Sequence, residues 1–263
     1  GVACSVNKRL DKFYTKQEVV RCMLGIFDWS SYDIIVEPSA GAGDFVNNLR
    51  HDNIVAMDLE PASVGVEKRD FFDFQQNRTK GESVLTIGNP PFGKNSSLAV
   101  KFFNHAAKFS DCIAFIVPRT FRKPSIINRL DLNFHLLKQE ILDPNSFYLP
   151  SGESYAVPTV FQVWERQKRE RKKIHTLTSC EDFDFVSPDI ADFCFRRVGV
   201  NAGLIYSDRL LERSMPSHYF VKENFEGVKE IVESIDWNYR ESPKFDTAGN
   251  PSISKNDLIR EIS

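Results

Sequence analysis

The chain has 263 residues, of which 41% are hydrophobic and 27% charged, and its formal net charge is −2. Its size fits one domain with an appendage, or one domain and a small second one. A net charge so close to zero excludes a globally basic nucleic-acid-binding protein, so any nucleic-acid surface has to be local. Five scattered cysteines without a Cys-x-x-Cys pair favour reduced thiols over disulfides or a zinc site. The sequence shows no signal-peptide pattern and no apolar run long enough to span a bilayer. We therefore expect a soluble, intracellular protein of the cytoplasm or nucleus.

The first predicted element is an amphipathic helix that starts after Phe13-Tyr14-Thr15. Thr15 is a candidate N-cap and Glu18 lies three residues later, as in a capping box. Apolar side chains then follow at helical spacing, at Val19, Val20, Met23 and Leu24.

A short strand and a glycine-containing turn come next. The β-branched run Ile34–Glu37 predicts a strand, and residues 38–44 (Pro-Ser-Ala-Gly-Ala-Gly-Asp) separate it from a predicted helix at residues 45–49. Gly41 and Gly43 permit a tight turn and let a ligand approach the backbone. The third glycine of the dinucleotide pattern is missing, which argues against NAD.

Acidic residues follow the second predicted strand, residues 53–58. In Rossmann-like sheets an acid at this position accepts hydrogen bonds from ribose hydroxyls, so Asp58 is the candidate, with Glu60 as the alternative. Further along, Asp70 precedes two aromatic residues, Phe71 and Phe72.

The third predicted strand, residues 83–87, ends in Gly88-Asn89-Pro90-Pro91-Phe92-Gly93. Two prolines fix φ, remove two N–H donors and extend the residues before them. The loop presents an amide side chain, free carbonyl oxygens and an aromatic ring where ligands bind in open α/β sheets. This set suits an amino group on a flat ring, although a proline turn that merely closes a strand remains the plain structural alternative.

The alternation of strands and helices continues to about Trp164 and indicates an α/β fold. An amphipathic helix is predicted from residue 97, and further strands at residues 112–117, 134–142 and 159–164. The remainder predicts only a strand at residues 193–198, a helix face at 228–235 and a last helix capped by Ser254.

These stretches resemble the N6-adenine methyltransferases that use S-adenosylmethionine (SAM). Asn89-Pro90-Pro91-Phe92 is similar to their [Asn/Asp/Ser]-Pro-Pro-[Tyr/Phe/Trp] motif, and residues 37–45 to Asp/Glu-Pro-x-x-Gly-x-Gly-x-Phe. The resemblance covers about residues 13–164. It implies an α/β fold with a Rossmann-like, seven-stranded class I methyltransferase sheet whose last strand is antiparallel. The implied division is a catalytic domain at residues 1–165, then a basic linker and small C-terminal region at 166–263, with substrate binding as its candidate role.

The resemblance also implies roles for individual residues. The catalytic set would be Asn89, Pro90, Pro91 and Phe92, with the Asn89 and Pro90 oxygens accepting the adenine amino hydrogens and Phe92 stacking on the base. The residues that would bind SAM are Thr15, Glu37, Ser39, Gly41, Gly43, Asp58, Asp70 and Phe71.

The expected substrate is adenine in DNA, because a Tyr-Thr motif ahead of the core resembles the DNA enzymes. RNA is the alternative, since Asn-Pro-Pro-Phe-Gly also resembles RNA adenine methyltransferases, and protein glutamine is a distant third. A catalytically silent, nucleic-acid-binding subunit is the hypothesis from another class. A partner protein or a homodimer stays open.

Two basic clusters are candidates for phosphate contact. Arg119, Arg122 and Lys123 follow a strand at the carboxyl edge that carries Asn89, whereas residues 166–173 follow the antiparallel strand at the opposite edge. Topology therefore favours the smaller cluster. Five dispersed histidines give no metal-ligand spacing, so no metal is expected.

Overall fold

The computed structural model describes residues 13–77 and 81–263. Of the five cysteines, Cys4 lies outside this range. The chain divides into two compact units: one comprises residues up to 121 together with 125–173, and the other residues 122–124 together with 174–263.

Within the described residues up to 173, the chain forms ten strands and three helices, joined in part by short 3-10 turns. In chain order these are β1 (Tyr14–Thr15), α1 (Gln17–Leu24), β2 (Ile34–Glu37), β3 (Ile54–Asp58), β4 (Glu67–Lys68), β5 (Val84–Gly88), α2 (Ser97–Ala107), β6 (Cys112–Pro118), α3 (Pro124–Ile127), β7 (Phe134–Ile141), β8 (Phe147–Tyr148), β9 (Ser154–Tyr155) and β10 (Thr159–Arg166).

Seven of these strands form the central sheet, in the order β4-β3-β2-β5-β6-β10-β7. The five strands from β4 to β6 pair in parallel, and β10 is antiparallel to both β6 and β7. The predicted seven-stranded α/β sheet with an antiparallel last strand is confirmed. Because β2 lies between β3 and β5, the strand order reverses there, and the carboxyl ends of β2 and β5 flank the crevice where such sheets bind ligands.

Side-chain alternation along the strands builds a core on each face of this sheet. Val36 and Phe115 pack into the cluster that contains Phe103 of α2, whereas Ile35 and Leu85 pack into the cluster built with α1. Period-two alternation explains the separation, since neighbouring residues of a strand point to opposite faces. The helices α1 and α2 therefore cover opposite faces of the sheet.

Three local predictions need correction. Thr15 does not cap α1: it lies in β1, and Lys16 occupies the N-cap without a side-chain hydrogen bond. The helix predicted at residues 45–49 is only a 3-10 turn, Val46–Asn48. The small antiparallel sheet formed by β1, β8 and β9 was not predicted, because each of these strands has only two residues and carries no periodicity.

The second unit is built on a four-stranded antiparallel sheet in the order β11-β14-β12-β13. Its elements are β11 (Phe183–Phe185), β12 (Phe193–Arg196), β13 (Ile205–Tyr206), β14 (His218–Glu223), α4 (Val228–Glu233) and α5 (Lys255–Ile262). Its own core contains Phe195, Trp237 and Leu258. The predicted Ser254 cap is confirmed, with Asp257 completing a capping box. Across the described residues, no helix combines the length and apolarity needed to traverse a bilayer.

Candidate cofactor and active site

A cavity of about 460 Å³ opens at the carboxyl ends of β2, β3 and β5. This volume lies in the ordinary range for small-molecule sites. Ten of the twelve residues predicted for the cofactor and catalytic sites line it, namely Thr15, Glu37, Ser39, Gly41, Asp58, Asp70, Phe71, Asn89, Pro90 and Pro91. Gly43 and Phe92 are not among the lining residues.

The glycine turn after β2 is fixed against β3. The Gly41 N–H donates to Asp58 Oδ2 at 2.9 Å, and the Ala40 N–H donates to the Met57 carbonyl at 2.9 Å. Gly41 has φ +53°, and a Cβ there would lie 2.8 Å from the Tyr14 ring. Only glycine therefore fits at position 41 without displacing the ring. Gly43, at φ +85°, lies in the same turn, and its N–H donates to the Ala40 carbonyl at 2.8 Å.

Asp58 has a structural role besides its position on the cavity wall. Its Oδ2 accepts the Gly41 N–H and its Oδ1 accepts the Glu60 N–H at 2.8 Å. Each carboxylate oxygen retains a second lone pair, so a ribose hydroxyl can still be accepted. Glu60, the alternative ribose ligand, also lines the cavity but is exposed.

Carboxylates dominate the electrostatics of the cavity. Five line it (Glu37, Asp44, Asp58, Glu60 and Asp70), against a single cationic side chain, Arg69. Glu37 is 1% exposed, its Oε2 has no hydrogen-bond partner, and burial raises its pKa well above the usual range. The neighbouring charges of Asp44 and Asp58 raise this pKa further. The cavity thus favours a ligand that carries positive charge.

Asp44 joins the glycine turn to two distant segments. It accepts hydrogen bonds from Gln17 Nε2 at 3.0 Å and from the Tyr148 hydroxyl at 2.9 Å. Burial raises the pKa of Asp44, and these hydrogen bonds oppose the shift. Sequence reasoning missed both Asp44 and Tyr148. Asp44 was visible as an acid directly after Gly43, whereas Tyr148 carries no local signal.

Asp70 and Phe71, two of the residues predicted to bind SAM, lie on or beside a short 3-10 turn. Asp70 caps the 3-10 turn Phe71–Asp73 by accepting the Phe72 N–H at 2.9 Å. Phe71 is buried and stacks on Phe102 with ring centroids 5.2 Å apart, whereas Phe72 is 39% exposed. Both rings border the cavity.

The Asn-Pro-Pro-Phe loop is held rigidly between β5 and α2. The Phe92 carbonyl accepts the Leu98 and Ala99 N–H groups at 3.1 Å, which satisfies donors in the first turn of α2. Asn89 Nδ2 donates to the Thr15 hydroxyl at 3.3 Å. Asn89 Oδ1 is enclosed and has no hydrogen-bond partner among the described residues. This orphaned acceptor suits a ligand N–H at that point of the wall.

The Phe92 ring is buried more deeply than a role in stacking on a base requires. It is 9% exposed and its edge contacts Phe13, with ring centroids 5.3 Å apart. Phe13 itself lines the cavity and also contacts Phe147 and Tyr155. Phe13 is therefore the aromatic ring exposed to the cavity beside the loop, and sequence reasoning assigned it no such role.

The three side chains predicted to bind phosphate are not all free, exposed cations. Arg119 is buried, with 7% exposure, in the first unit. Arg122, in the second unit, pairs with Asp246 at 2.8 Å and donates to the Glu241 carbonyl. Lys123 is half-buried.

The longer basic run is also partly engaged in structure. Arg166 donates to the Ser110 carbonyl at 2.9 Å, and Arg171 donates to the carbonyls of Ile127, Leu130 and Phe134. In the described ranges, no group of three or more His, Cys, Asp and Glu side chains could hold a metal ion.

Residues 30–175 match the family model of the EDM2 methyltransferase-like domain. The chain belongs to this family. The protein ENHANCED DOWNY MILDEW 2 of Arabidopsis thaliana is 26% identical over an alignment of 181 positions, and the match covers 59% of this chain but only 14% of that relative. The chain therefore spans about one seventh of the curated relative's length.

Solved structures of methyltransferases are similar to this chain at low sequence identity. A type I restriction-modification methyltransferase subunit from Streptococcus thermophilus is 15% identical, with 60% of this chain and 45% of that chain covered and a TM-score of 0.41. TrmN from Thermus thermophilus is 16% identical, with 57% and 49% covered and a TM-score of 0.40. The methyltransferase-like domain has the class I, Rossmann-like α/β fold.

Proposed function

We propose that this domain transfers the methyl group of SAM to the exocyclic N6 of adenine in DNA, with adenine in RNA as the alternative substrate. The observation that carries the proposal is the enclosed, unpartnered Asn89 Oδ1 on the wall of an acid-lined cavity. A nucleic-acid target agrees with the enzymes named among the solved structures, one of which is a restriction-modification subunit.

The cavity fits SAM by charge as well as by volume. SAM carries an ammonium and a sulfonium group, and these positive charges would favour ionisation of the buried Glu37 and Asp44 carboxyl groups, whose pKa values burial raises in the ligand-free protein. Asp58 is proposed to accept the ribose hydroxyls, Asp70 the adenine amino group, and Phe71 to pack against the adenine ring. Ser39, Gly41 and Gly43 shape the turn around the ligand, and Thr15 borders it beside Asn89.

The catalytic role of the loop is orientation. When bound, SAM supplies an electrophilic methyl group on its sulfonium. Asn89 Oδ1 and the Pro90 carbonyl would accept the two hydrogens of the adenine amino group, which turns the nitrogen lone pair towards that methyl group. Pro91 keeps the loop extended, and the nitrogen loses its surplus proton to solvent after transfer. In a duplex the adenine has to be flipped out of the stack to reach the loop.

A silent, nucleic-acid-binding subunit is the second candidate. The buried position of Phe92 under Phe13 supports it, because the ring proposed to stack on the base is covered. Of the proposed phosphate contacts, Arg119 is buried and Arg122 is paired, so Lys123 is the best placed of the three.

Nucleoside mass spectrometry separates the candidates. DNA and RNA are each incubated with the protein and SAM carrying a deuterated methyl group, and the nucleosides are then analysed. We expect labelled N6-methyladenine nucleoside from DNA. Label from RNA alone would select the alternative substrate, and unlabelled nucleosides from both would favour the silent subunit.

A further inference from the structure

A second concavity in the first unit is basic where the cofactor cavity is acidic. Its lining includes four cations, Lys101, Lys108, Arg129 and Lys173, and no carboxylate among the described residues. All four side chains are exposed, and none makes an ion pair or hydrogen bond with another described residue. In a protein with a formal net charge of −2, this is a local positive surface.

The helix α2 sets the spacing of two of these charges. Lys101 and Lys108 are seven residues apart, so they lie on the same side of the helix about 10 Å apart along its axis. Asn104 lies between them and is fully hydrogen-bonded: its Nδ2 donates to the Arg129 carbonyl and its Oδ1 accepts the Asp131 N–H, each at 2.9 Å. These bonds hold the Arg129 turn against α2.

The Lys173 side of the concavity is fixed by Arg171. The guanidinium of Arg171 donates to the Ile127 and Leu130 carbonyls at the end of α3, at 2.7 and 2.9 Å. The segment that carries Lys173 is therefore tied to the turn that carries Arg129. The acid in this turn, Asp131, already accepts the Asn133 N–H at 2.9 Å. None of the four cations forms an ion pair with a carboxylate of the described residues.

Phe72 connects this concavity to the cofactor cavity, because it lines both. Its ring is 39% exposed and is supported by Phe102 and His105 at 5.0 and 5.5 Å between ring centroids. A basic groove with a supported, exposed aromatic ring is the combination that binds single-stranded nucleic acid.

We infer that the groove formed by Lys101, Lys108, Arg129 and Lys173, with Phe72 at its end, binds the sugar–phosphate backbone of a nucleic-acid strand beside the cofactor cavity. This inference rests on the proposed function and names the surface on which its substrate lies. The main phosphate contacts are then made by this groove and not by Arg119, Arg122 and Lys123.

Fluorescence anisotropy with labelled single-stranded DNA and RNA oligonucleotides tests the inference. The variant Lys101→Ala/Lys108→Ala is compared with Arg21→Ala/Arg50→Ala, which removes two exposed charges next to the apolar cluster on the α1 face of the sheet. We expect the α2 variant to bind at least several-fold more weakly at moderate salt. Its slope of log affinity against log salt should fall by about 0.7 for each phosphate that the removed lysines neutralise. The control variant should keep the wild-type slope.

The outcomes distinguish the inference from the proposed function. Equal affinities and slopes for the two double variants, with clear binding by the wild type, would overturn the groove alone. Failure of the wild type to bind either oligonucleotide would overturn both the groove and the nucleic-acid substrate. Unchanged thermal unfolding of each variant shows that its fold is intact.

Discussion

Asn89 concentrates the chemistry of the proposed reaction in one side chain. Its Nδ2 is committed to the Thr15 hydroxyl, while its Oδ1 is buried without a partner. An unsatisfied buried acceptor costs about 1–3 kcal/mol, so a protein retains one where a ligand completes it. The target amino group is the proposed donor.

Replacement of Asn89 therefore separates chemistry from cofactor binding. We predict that Asn89→Ala lowers the methyl-transfer rate by about 100-fold or more, as removal of an orienting polar group does, with SAM affinity nearly unchanged. Asn89→Asp keeps an acceptor oxygen and should retain part of the activity. Wild-type turnover by Asn89→Ala, measured in single-turnover assays, would remove Asn89 from the mechanism.

Glu37 predicts a pH dependence of stability. Its folded-state pKa is raised, by burial above all. Its contribution to stability is therefore fully present below the unfolded pKa of about 4.3 and is lost as pH rises through the folded value. We predict that Glu37→Gln gains in Tm relative to the ligand-free wild type as the pH rises above the unfolded pKa, because only the wild type then has a buried carboxyl group to ionise. Parallel Tm curves for the two proteins would contradict a raised pKa.

At the level of elements, the small β1-β8-β9 sheet ties the N-terminal segment to the cavity. Tyr14 pairs with Tyr148 and Thr15 with Phe147, which places the Thr15 hydroxyl beside Asn89. The Tyr148 hydroxyl in turn holds Asp44. The small sheet therefore positions both the Asn-Pro-Pro-Phe loop and the glycine turn.

Tyr148→Phe tests this connection. Loss of the hydroxyl removes a hydrogen bond to a carboxylate, so we expect a decrease of about 1–2 kcal/mol in the free energy of unfolding and weaker SAM binding. Tyr155→Phe is the matched control, because Tyr155 lies in the adjacent strand and its hydroxyl has no hydrogen-bond partner among the described residues. Denaturant unfolding measures the free energy of unfolding of both variants. An equal decrease in the two would show that the hydrogen bond to Asp44 contributes nothing to stability.

The glycine turn permits a similarly matched comparison. Gly41→Ala places a methyl group 2.8 Å from the Tyr14 ring at positive φ, whereas at Gly65, with φ +86°, a methyl group would have no atom within 4 Å. Both alanines bear the strain of a left-handed conformation, about 1–2 kcal/mol, and only Gly41→Ala adds a clash. Calorimetry should show SAM binding abolished in Gly41→Ala and kept in Gly65→Ala; the same affinity in both would exclude close packing at the turn.

The parts of the fold predicted from sequence are those with a local signal. Strands such as Cys112–Pro118 are continuous apolar runs, and the glycine and proline loops break them at recognisable positions. The burial of Phe92 and the role of Tyr148 depend on pairing between segments more than a hundred residues apart, β1 with β8. Thr15 was misassigned as a helix cap for the same reason, because its tertiary contact with Asn89 overrides the local capping pattern.

At the scale of the whole first unit, charge is separated between two adjoining surfaces. Among the described residues, the acid-lined cavity has five carboxyl groups and one cation, and the groove along α2 has four cations, with Phe72 common to both. A cationic cofactor would be complementary to the acidic cavity, and an anionic nucleic-acid strand to the basic groove. The net charge near zero does not reveal this separation of charge. The long basic run contributes Lys173 to the groove, although its arginines at 166 and 171 are used in structure.

Calorimetric titration of the ligand-free protein with SAM tests the central claim most directly, since every proposed role depends on the cavity holding that cofactor. We predict one-to-one binding with a dissociation constant in the micromolar range, about −6 to −8 kcal/mol. Binding should be at least about tenfold weaker in Asp58→Ala, which removes the proposed ribose acceptor and the Gly41 hydrogen bond. No measurable binding of SAM by the folded wild-type protein would contradict the account.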